Sequence, residues 1–175
     1  MANGLTYKRQ VNSPEAMKQL GSVLGEHLRE DDVVILTGDL GAGKTQFVQG
    51  VAEGLGVNCT ITSPTFNILL TYPQGRLALN HFDLYRLDEA QDLDDIGFYE
   101  VLESGGASFI EWGDKFPNAL PYSYLEVHIS NLGENMRMVY THALGESCRK
   151  LLFLWANDSK SRLVKTGLPS FMLSN

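Results

Sequence analysis

The segment GDLGAGKT, residues 38–45, joins the apolar run VVILT at 33–37 to a segment with helical spacing at 45–55 and is the clearest indicator of the fold. It matches the pattern G-x-x-x-x-G-K-[ST], in which a strand leads into a glycine-rich loop and then into a helix. Glycines let the backbone wrap closely, so that successive N–H groups point inward and bind phosphate beside the helix N-terminus. The sequence therefore predicts a P-loop that binds a nucleoside triphosphate.

Roles within the loop follow from the chemistry of phosphate binding. Lys44 is expected to reach the β- and γ-phosphates, and the hydroxyl of Thr45 is expected to bind Mg²⁺. The predicted nucleotide-binding residues of the loop and the first helical turn are Gly38, Asp39, Leu40, Gly41, Ala42, Gly43, Lys44, Thr45 and Gln46. A glycine-rich turn that carries a solvated lysine is the alternative, and the strand-loop-helix context argues against it.

The composition indicates a globular protein with one sizeable core, since 43% of its 175 residues are hydrophobic. A formal charge of −7 argues against a DNA-binding or general nucleic-acid-binding protein, because such proteins usually carry a basic surface.

The two cysteines, Cys59 and Cys148, match no metal-site spacing and are expected to be free thiols in a reducing compartment. Neither a signal peptide nor a membrane span is recognisable, so a cytoplasmic location is expected.

Apolar periodicity predicts an α/β fold of the P-loop NTPase type, with three layers and a mostly parallel central sheet to which antiparallel hairpin strands are added. Ser13 would cap a first helix in which Pro14 occupies the first turn. The remaining predicted elements are a hairpin at 66–87, an acidic helical segment at 88–104, a buried strand at 107–112, a second hairpin at 124–144 and a final helix at 146–156.

This reading divides the chain into two parts. Residues 1–156 would form a single P-loop ATPase domain. Residues 157–175 carry Lys160, Arg162 and Lys165 with little periodicity, so they are expected to form a basic, loosely held tail.

A P-loop ATPase also needs an acid on the metal side of the nucleotide, and two residues fit. Glu111 ends the short apolar strand ASFIE, and Asp83 comes late in LALNHFD. Glu111 has the cleaner context, because ligands of α/β proteins bind at the carboxyl ends of buried strands. In the segment TSPTF, Thr65 or Ser63 could offer a hydroxyl to the metal or the γ-phosphate, although an ordinary Ser-Pro turn explains this segment as well.

The roles of two further side chains stay undecided, and other parts of the sequence argue against particular functions. His81 is more often structural than catalytic in such a position, and Arg86 fits a phosphate contact or a salt bridge equally. No guanine-reading N-K-x-D motif occurs, and DDIG at 94–97 lies in an acidic helical segment rather than after a strand, so a GTPase is not expected. A small-molecule or protein kinase stays possible, as does a binding module that nucleotide occupancy alone controls.

Four motifs, GDLGAGKT, TSPTF, NHFDLYRL and IEW, follow one another in an order and at spacings that resemble the TsaE family, the P-loop ATPases of bacterial tRNA threonylcarbamoyladenosine synthesis. The resemblance runs from about Ser13 to the final helix. It implies that Lys44 and Thr45 hold phosphate and Mg²⁺, and that Glu111 is the second metal-side acid. Asp83 would lie near the metal and the attacking water.

The same resemblance implies further contacts around the nucleotide. Thr65 would sit in a switch-like loop, Trp112 would pack beside the nucleotide, and the start of the first helix, at Ser13 and Pro14, would lie near the adenine. Family members can carry an arginine just after the glycine of the second hairpin turn. Here that position holds Glu134, which leaves Arg137, three residues on, as the candidate for an adenine-side contact.

The resemblance finally implies a shared task. TsaE-like proteins bind ATP and ADP with Mg²⁺, associate with a TsaD–TsaB heterodimer and hydrolyse ATP slowly. That heterodimer transfers a threonylcarbamoyl group to N6 of the adenosine next to the anticodon of tRNAs that read A-starting codons. With its acidic balance, this chain would meet tRNA only indirectly, through its partners, and would meet no DNA and no membrane.

Overall fold

The computed structural model describes residues 5–164, except for the side chains of residues 163 and 164. Seven strands form its central sheet, and their bounds are β1 Leu5–Val11, β2 Val33–Thr37, β3 Leu69–Tyr72, β4 Leu79–Asp83, β5 Ala107–Glu111, β6 Tyr124–Asn131 and β7 Arg137–Leu144. Their order across the sheet is β1-β7-β6-β2-β5-β4-β3. The four central strands, β6, β2, β5 and β4, run parallel, and the outer strands pair antiparallel to their neighbours.

Helices cover both faces of this sheet. Their bounds are α1 Pro14–His27, α2 Lys44–Leu55, α3 Gln91–Asp95, α4 Phe98–Leu102 and α5 Glu146–Val164. One core lies between the sheet and helices α1, α2 and α5, and a second, smaller core lies under α3 and α4 on the opposite face. The three-layer α/β fold and both antiparallel hairpins are therefore confirmed. The acidic segment forms two short helices rather than one, because Gly97 adopts a left-handed conformation with φ +65° between them.

The Oγ of Ser13 accepts a hydrogen bond of 3.1 Å from the N–H of Ala16 and so caps α1, as the sequence predicted.

Helices α1 and α2 approach closely, and small residues make this possible. A Cβ added to any of four glycines at the contact would collide with a backbone carbonyl oxygen of the facing helix; these are Gly21, Gly25, Gly50 and Gly54. The helix that follows the P-loop is therefore fixed against α1.

Strand β1 was not expected from the sequence. It pairs along its whole length with β7 and forms one edge of the sheet. Tyr7, Arg9 and Val11 point into the core beneath the helices, and all three are almost fully buried. An arginine at a core position disguises the period-2 apolar pattern by which a strand of this kind is recognised.

The final helix is longer than expected, and the expectation of a loose tail from residue 157 is wrong for residues 157–164. Ser159 is fully buried on this helix. Near its end, the Arg162 guanidinium contacts the carboxylates of Asp158, one turn earlier, and of Glu26 on α1. Polar contacts rather than an apolar stripe hold this part of the helix, which is why hydrophobic periodicity gave no sign of it. The rest of the expected tail lies outside the described residues.

Two further features are the state of the cysteines and the character of the helices. Cys59, which is exposed, and Cys148, which is buried, are both free thiols. None of the helices in the described part of the chain combines the length and the apolar character that a lipid bilayer requires of a spanning segment.

Candidate functional site

A cleft of about 1080 Å³ opens at the carboxyl ends of the central parallel strands. The P-loop forms its floor, and strand ends and loops form its walls. The structure brings the following sequence-predicted residues into its lining: Gly38, Asp39, Leu40, Gly41, Gly43, Lys44, Thr45, Gln46, Ser63, Thr65, Asp83, Glu111 and Trp112. Residues from four separate parts of the sequence therefore meet in one cavity, at the edge of the sheet where α/β proteins bind ligands.

The P-loop passes from β2 to α2 through conformations that need glycine at two points. Gly43 has φ +110°, which L side chains rarely adopt, and it directly precedes α2. Gly38 has φ +132° and lies so close to β6 that a Cβ would strike the carbonyl oxygen of Ile129. The loop is thus shaped by its own backbone torsions and by contact with the neighbouring strand.

Lys44 is buried at the floor of the cleft. Its Nζ donates hydrogen bonds to the carbonyl oxygens of Gly38, at 2.8 Å, and Asp39, at 3.2 Å. The same ammonium lies 3.6 Å from Oε2 of Glu111. Because both charged groups are less than a tenth exposed, their attraction is screened far less than that of a surface pair. The ammonium is therefore held at the point where the loop backbone faces the end of β5.

The two candidate acids are direct neighbours, since Asp83 and Glu111 stand opposite each other in the parallel register of β4 and β5. Both are buried, yet they have different partners. Glu111 contacts Lys44, and its Oε1 lies 3.0 Å from Nε2 of His81. Oδ1 of Asp83 accepts a 3.0 Å hydrogen bond from the backbone N–H of Tyr85. Glu111 thus belongs to the floor of the cleft and Asp83 to its wall.

The segment TSPTF is tied to that wall. The hydroxyl of Thr65 donates a 2.7 Å hydrogen bond to Oδ2 of Asp83, and Oγ of Ser63 lies 2.7 Å from the Thr65 hydroxyl. Phe66, the last residue of the motif, is 88% exposed. The loop therefore presents an aromatic ring to solvent while one hydroxyl anchors it beside the acid.

Aromatic side chains form the outer rim. Trp112 follows Glu111 directly, and its ring centroid lies 5.1 Å from that of Tyr85. Trp112 has φ +61°, an unfavourable left-handed conformation for a bulky residue, and 39% of its surface is exposed. Backbone strain of this kind is concentrated at functional sites, where the surrounding structure compensates for its cost.

Sequence reasoning missed several residues of the site. His81 was interpreted as more often structural than catalytic; it is fully buried and does not line the cleft, and its contact with Glu111 was not foreseen. Thr37 and His128 do line the cleft, and the Thr37 hydroxyl lies 2.9 Å from Nδ1 of His128. Thr37 directly precedes the P-loop, which could have drawn attention to it. His128 is its register partner on β6, and such a pairing across 91 residues leaves no local signal. Arg86 makes a 3.4 Å contact with the loop carbonyl of Phe66 and does not line the cleft.

Four of the predicted nucleotide-binding residues do not line the cleft: Ser13, Pro14, Ala42 and Arg137. Ser13 caps α1, and the side chain of Ala42 is buried in the core. Arg137, half-buried at the start of β7, donates hydrogen bonds to backbone carbonyls of the P-loop. An adenine contact by Ser13, Pro14 or Arg137 therefore stays a prediction.

Comparison with known proteins gives a consistent result. Residues 11–139 match the family model described as "Threonylcarbamoyl adenosine biosynthesis protein TsaE". The matched range begins at the end of β1 and includes every residue of the cleft named above.

Individual relatives agree with the family match. The tRNA threonylcarbamoyladenosine biosynthesis protein TsaE of Treponema pallidum is 44% identical over 119 residues, which cover 68% of this chain and 87% of that protein. The protein of the same name from Bacillus subtilis is 37% identical over 137 residues, covering 78% and 85%. A crystal structure of Bacillus subtilis YdiB superimposes with a TM-score of 0.78 at 30% identity, over 90% of this chain and 99% of that one.

Proposed function

The chain belongs to the TsaE family, and we propose that it is a Mg²⁺-dependent ATPase whose turnover is coupled to a TsaD–TsaB heterodimer. That heterodimer would form the threonylcarbamoyl group on N6 of the adenosine next to the anticodon of tRNAs that read A-starting codons. The single observation that carries the ATPase assignment is the buried arrangement of Lys44 against Glu111, with Asp83 beside them at the end of the next strand.

Phosphate binding would use the backbone more than side chains. Helix α2 begins at Lys44, and the unpaired N–H groups of its first turn favour binding of an anion at this end of the helix. The Lys44 ammonium contacts two loop carbonyls and Glu111. A triphosphate would replace some of these oxygen partners without requiring the ammonium to leave the loop. The cleft is therefore largely pre-organised for ATP and ADP.

The residues present fit a magnesium ion held mainly by its substrate. Within residues 5–164, no three His, Cys, Asp or Glu side chains converge as a metal cage. Mg²⁺ needs no such cage, because it commonly takes one or two protein oxygens together with waters and substrate phosphates. Thr45 and Glu111 would hold it, directly or through water, with Asp83 close by. Bound there, the ion would neutralise charge on the β- and γ-phosphates.

The chemical step would be phosphoryl transfer to water, which depends on positioning and on charge neutralisation. Asp83 would orient the attacking water near the metal. The Thr65 hydroxyl, bonded to Asp83, would connect this position to the TSPTF loop. A structural change that follows hydrolysis at the γ-phosphate would then be transmitted through this loop to the exposed Phe66 and the surface around it. This connection is the physical basis we propose for coupling hydrolysis to a partner.

The remaining assignments follow from charge and family. The net charge of −7 supports a role in which the heterodimer, and not this chain, supplies most of the tRNA-binding surface. The reaction would take place in the cytoplasm, where tRNA and ATP are available. Tight binding of tRNA to this chain alone, in an electrophoretic assay, would contradict this division of work.

The deciding experiment measures ATP turnover with Mg²⁺ by the full chain alone and with the TsaD–TsaB pair. Slow turnover alone, raised by the pair, is expected. Lys44→Ala should abolish both, whereas Lys150→Ala, an exposed lysine of α5, should change neither. Turnover indifferent to the pair would break the link to tRNA modification and would leave a kinase, to be tested with small acceptors.

A second measurement separates hydrolysis from occupancy. If Glu111→Ala retains binding to the pair but modification stops after one round, hydrolysis is required. Multiple rounds of modification by this variant would instead favour a module that ATP binding alone controls.

A further inference from the structure

We propose that Arg137 is a positioning residue for the phosphate cradle, and that it acts on the P-loop backbone without touching the adenine. It would hold peptide units of the loop so that their N–H groups face the nucleotide phosphates. This role deepens the proposed function and rests on it in one respect, namely that ATP binds in the cleft.

The guanidinium contacts the loop from behind. Nε of Arg137 donates a 3.0 Å hydrogen bond to the carbonyl oxygen of Ala42, and one terminal nitrogen lies 3.5 Å from the carbonyl oxygen of Gly41. Gly41 and Gly43 line the cleft, whereas Arg137 does not. The arginine therefore reaches the cradle only through its backbone.

Peptide geometry converts this contact into an orientation of donors. The C=O of Ala42 and the N–H of Gly43 belong to one planar trans peptide, so they point in opposite directions. When Arg137 holds the oxygen of Ala42 toward β7, the N–H of Gly43 is turned away from β7 and toward the cleft. Gly43 has φ +110° and lacks a Cβ to restrain it. The arginine thus fixes the peptide that the glycine leaves most free to rotate.

The other side of the guanidinium is anchored as firmly. Its second terminal nitrogen donates to the carbonyl oxygens of Gly133, at 2.8 Å, and Met136, at 3.0 Å, and to Oδ1 of Asn131, at 3.2 Å. Asn131 is the last residue of β6, and Gly133 and Met136 lie in the turn between β6 and β7. Only arginine offers five N–H donors in one rigid plane, so a lysine could not hold both segments in the same way.

Electrostatics act in the same direction. A positive charge behind the loop raises the potential in the cradle and favours the phosphates of any nucleotide, whatever its base. An adenine contact would instead discriminate between bases. The two roles for Arg137 therefore make different predictions for a ligand that has phosphates but no base.

The chain offers a matched control in Arg76. One terminal nitrogen of its guanidinium donates to the carbonyl oxygens of Gly25, at 2.8 Å, and Leu28, at 2.9 Å, at the end of α1. The chemistry is the same, an arginine bound to backbone carbonyls, but the contact lies away from the cleft. Removing it should cost stability without reaching the phosphates.

The test measures binding of tripolyphosphate and of ATP to the full chain by calorimetry, at a temperature where melting curves show every variant folded. Arg137→Met should weaken both ligands by a similar factor, about ten- to a hundredfold, as expected when a charged hydrogen-bonding group is removed. Arg137→Lys should recover only part of this loss. Arg76→Met should stay within about twofold of the unaltered chain, the difference expected when no hydrogen bond to the cradle is lost.

Three results would overturn the proposal. Tripolyphosphate affinity in Arg137→Met equal to that of the unaltered chain would show that the cradle does not need the arginine. Loss of ATP binding with normal tripolyphosphate binding would make Arg137 a contact of the base or ribose. Equal loss in Arg76→Met would indicate general loosening of the fold. Failure of the unaltered chain to bind ATP at all would overturn the proposed function as well, and is distinguishable from these three.

Discussion

Two groups of polar side chains, one at the cleft and one beneath the last helix, are built differently. The first, the cleft cluster, consists of Lys44, Thr65, His81, Asp83 and Glu111. Lys44 and Glu111 pair as opposite charges at 3.6 Å, Glu111 also lies 3.0 Å from His81, and the Thr65 hydroxyl donates a 2.7 Å hydrogen bond to Asp83. Each of its members contacts at least one other member, and four of them line the open cleft.

The second group, the α5 cluster, lies between the edge of the sheet and the last helix, and consists of Tyr7, Arg9, Thr141 and Ser159. The Arg9 side chain is 1% exposed. It lies near the Tyr7 hydroxyl, but none of its nitrogens makes a hydrogen bond of good geometry to any group in residues 5–164. Burial raises the pKa of Tyr7, more than Arg9 lowers it, so the phenol stays neutral and supplies no counter-charge.

This contrast distinguishes a binding site from a group of polar side chains that is only buried. In the cleft cluster, contacts between the polar side chains lower the free-energy cost of burying them. A bound ligand would replace some of these contacts with its own. The α5 cluster is sealed and contains a cation without a counter-charge among the described residues, which makes it a cost to stability rather than a reserve of binding energy.

The strongest way to test this comparison is Glu111→Gln in the cleft cluster. The amide keeps the volume of the side chain but loses the charge that faces Lys44 and, in our proposal, the metal. Turnover with the TsaD–TsaB pair should fall by about a hundredfold or more, while ATP binding changes far less. Glu126→Gln, which also lines the cleft but has no contact with Lys44 or His81, should remain near the unaltered rate. A similar loss in both variants would remove the special role of the cluster.

Thr65→Val tests the link between the cluster and its loop. The substitution keeps the shape and removes the hydroxyl that donates to Asp83. We expect kcat to fall about tenfold, the value of one lost hydrogen bond to a charged group, with little change in KM for ATP. Thr65→Ser should restore most of the rate. If valine leaves kcat unaltered, the hydroxyl does not take part in positioning.

Arg9→Met tests the other cluster, by urea denaturation. Methionine fills a similar apolar volume without a buried charge, so the free energy of unfolding should rise by about 1–4 kcal/mol. ATP affinity should be unchanged, because Arg9 is remote from the cleft lining. A fall in stability would mean that the guanidinium is compensated in solution, and the contrast between the two clusters would disappear.

Arg162→Gln tests the exposed contacts that hold α5 over its cluster, and its effect should be the smallest. The hydrogen bonds from Arg162 lower the pKa of Glu26 and of Asp158. A carboxyl whose pKa is lowered by folding stabilises the fold above its ordinary pKa of about 4 and loses this effect as the pH falls through the lowered value. At pH 7 the free energy of unfolding of Arg162→Gln should therefore be lower than that of the unaltered chain by at most about 1 kcal/mol, since the groups are partly exposed. Near pH 2 the two proteins should not differ. A loss that persists in acid would point to packing of the arginine stem.

The sequence was most informative where structure is set locally. The P-loop, the N-terminal cap of α1 and the two hairpins depend on neighbouring residues, and each was predicted from turn chemistry and periodicity. The position of Glu111 also followed, because ligands of α/β proteins bind at the carboxyl ends of buried strands.

Contacts across the sheet could not be predicted in the same way. The pairing of His81 with Glu111, of Thr37 with His128 and of Arg137 with the P-loop depends on strand order, which no local pattern encodes. Strand β1 was missed because Arg9 interrupts its apolar face. The end of α5 was missed because Arg162, a polar residue, secures it.

The close contact of α1 and α2 has a practical consequence for genetics. At Gly21, Gly25, Gly50 and Gly54 a single added methyl group meets a backbone oxygen that has no room to yield. Alanine at any of these positions leaves every cleft side chain intact and weakens the fold that carries them. These four codons are therefore where temperature-sensitive alleles should be sought, so that the protein can be withdrawn from growing cells by a shift in temperature.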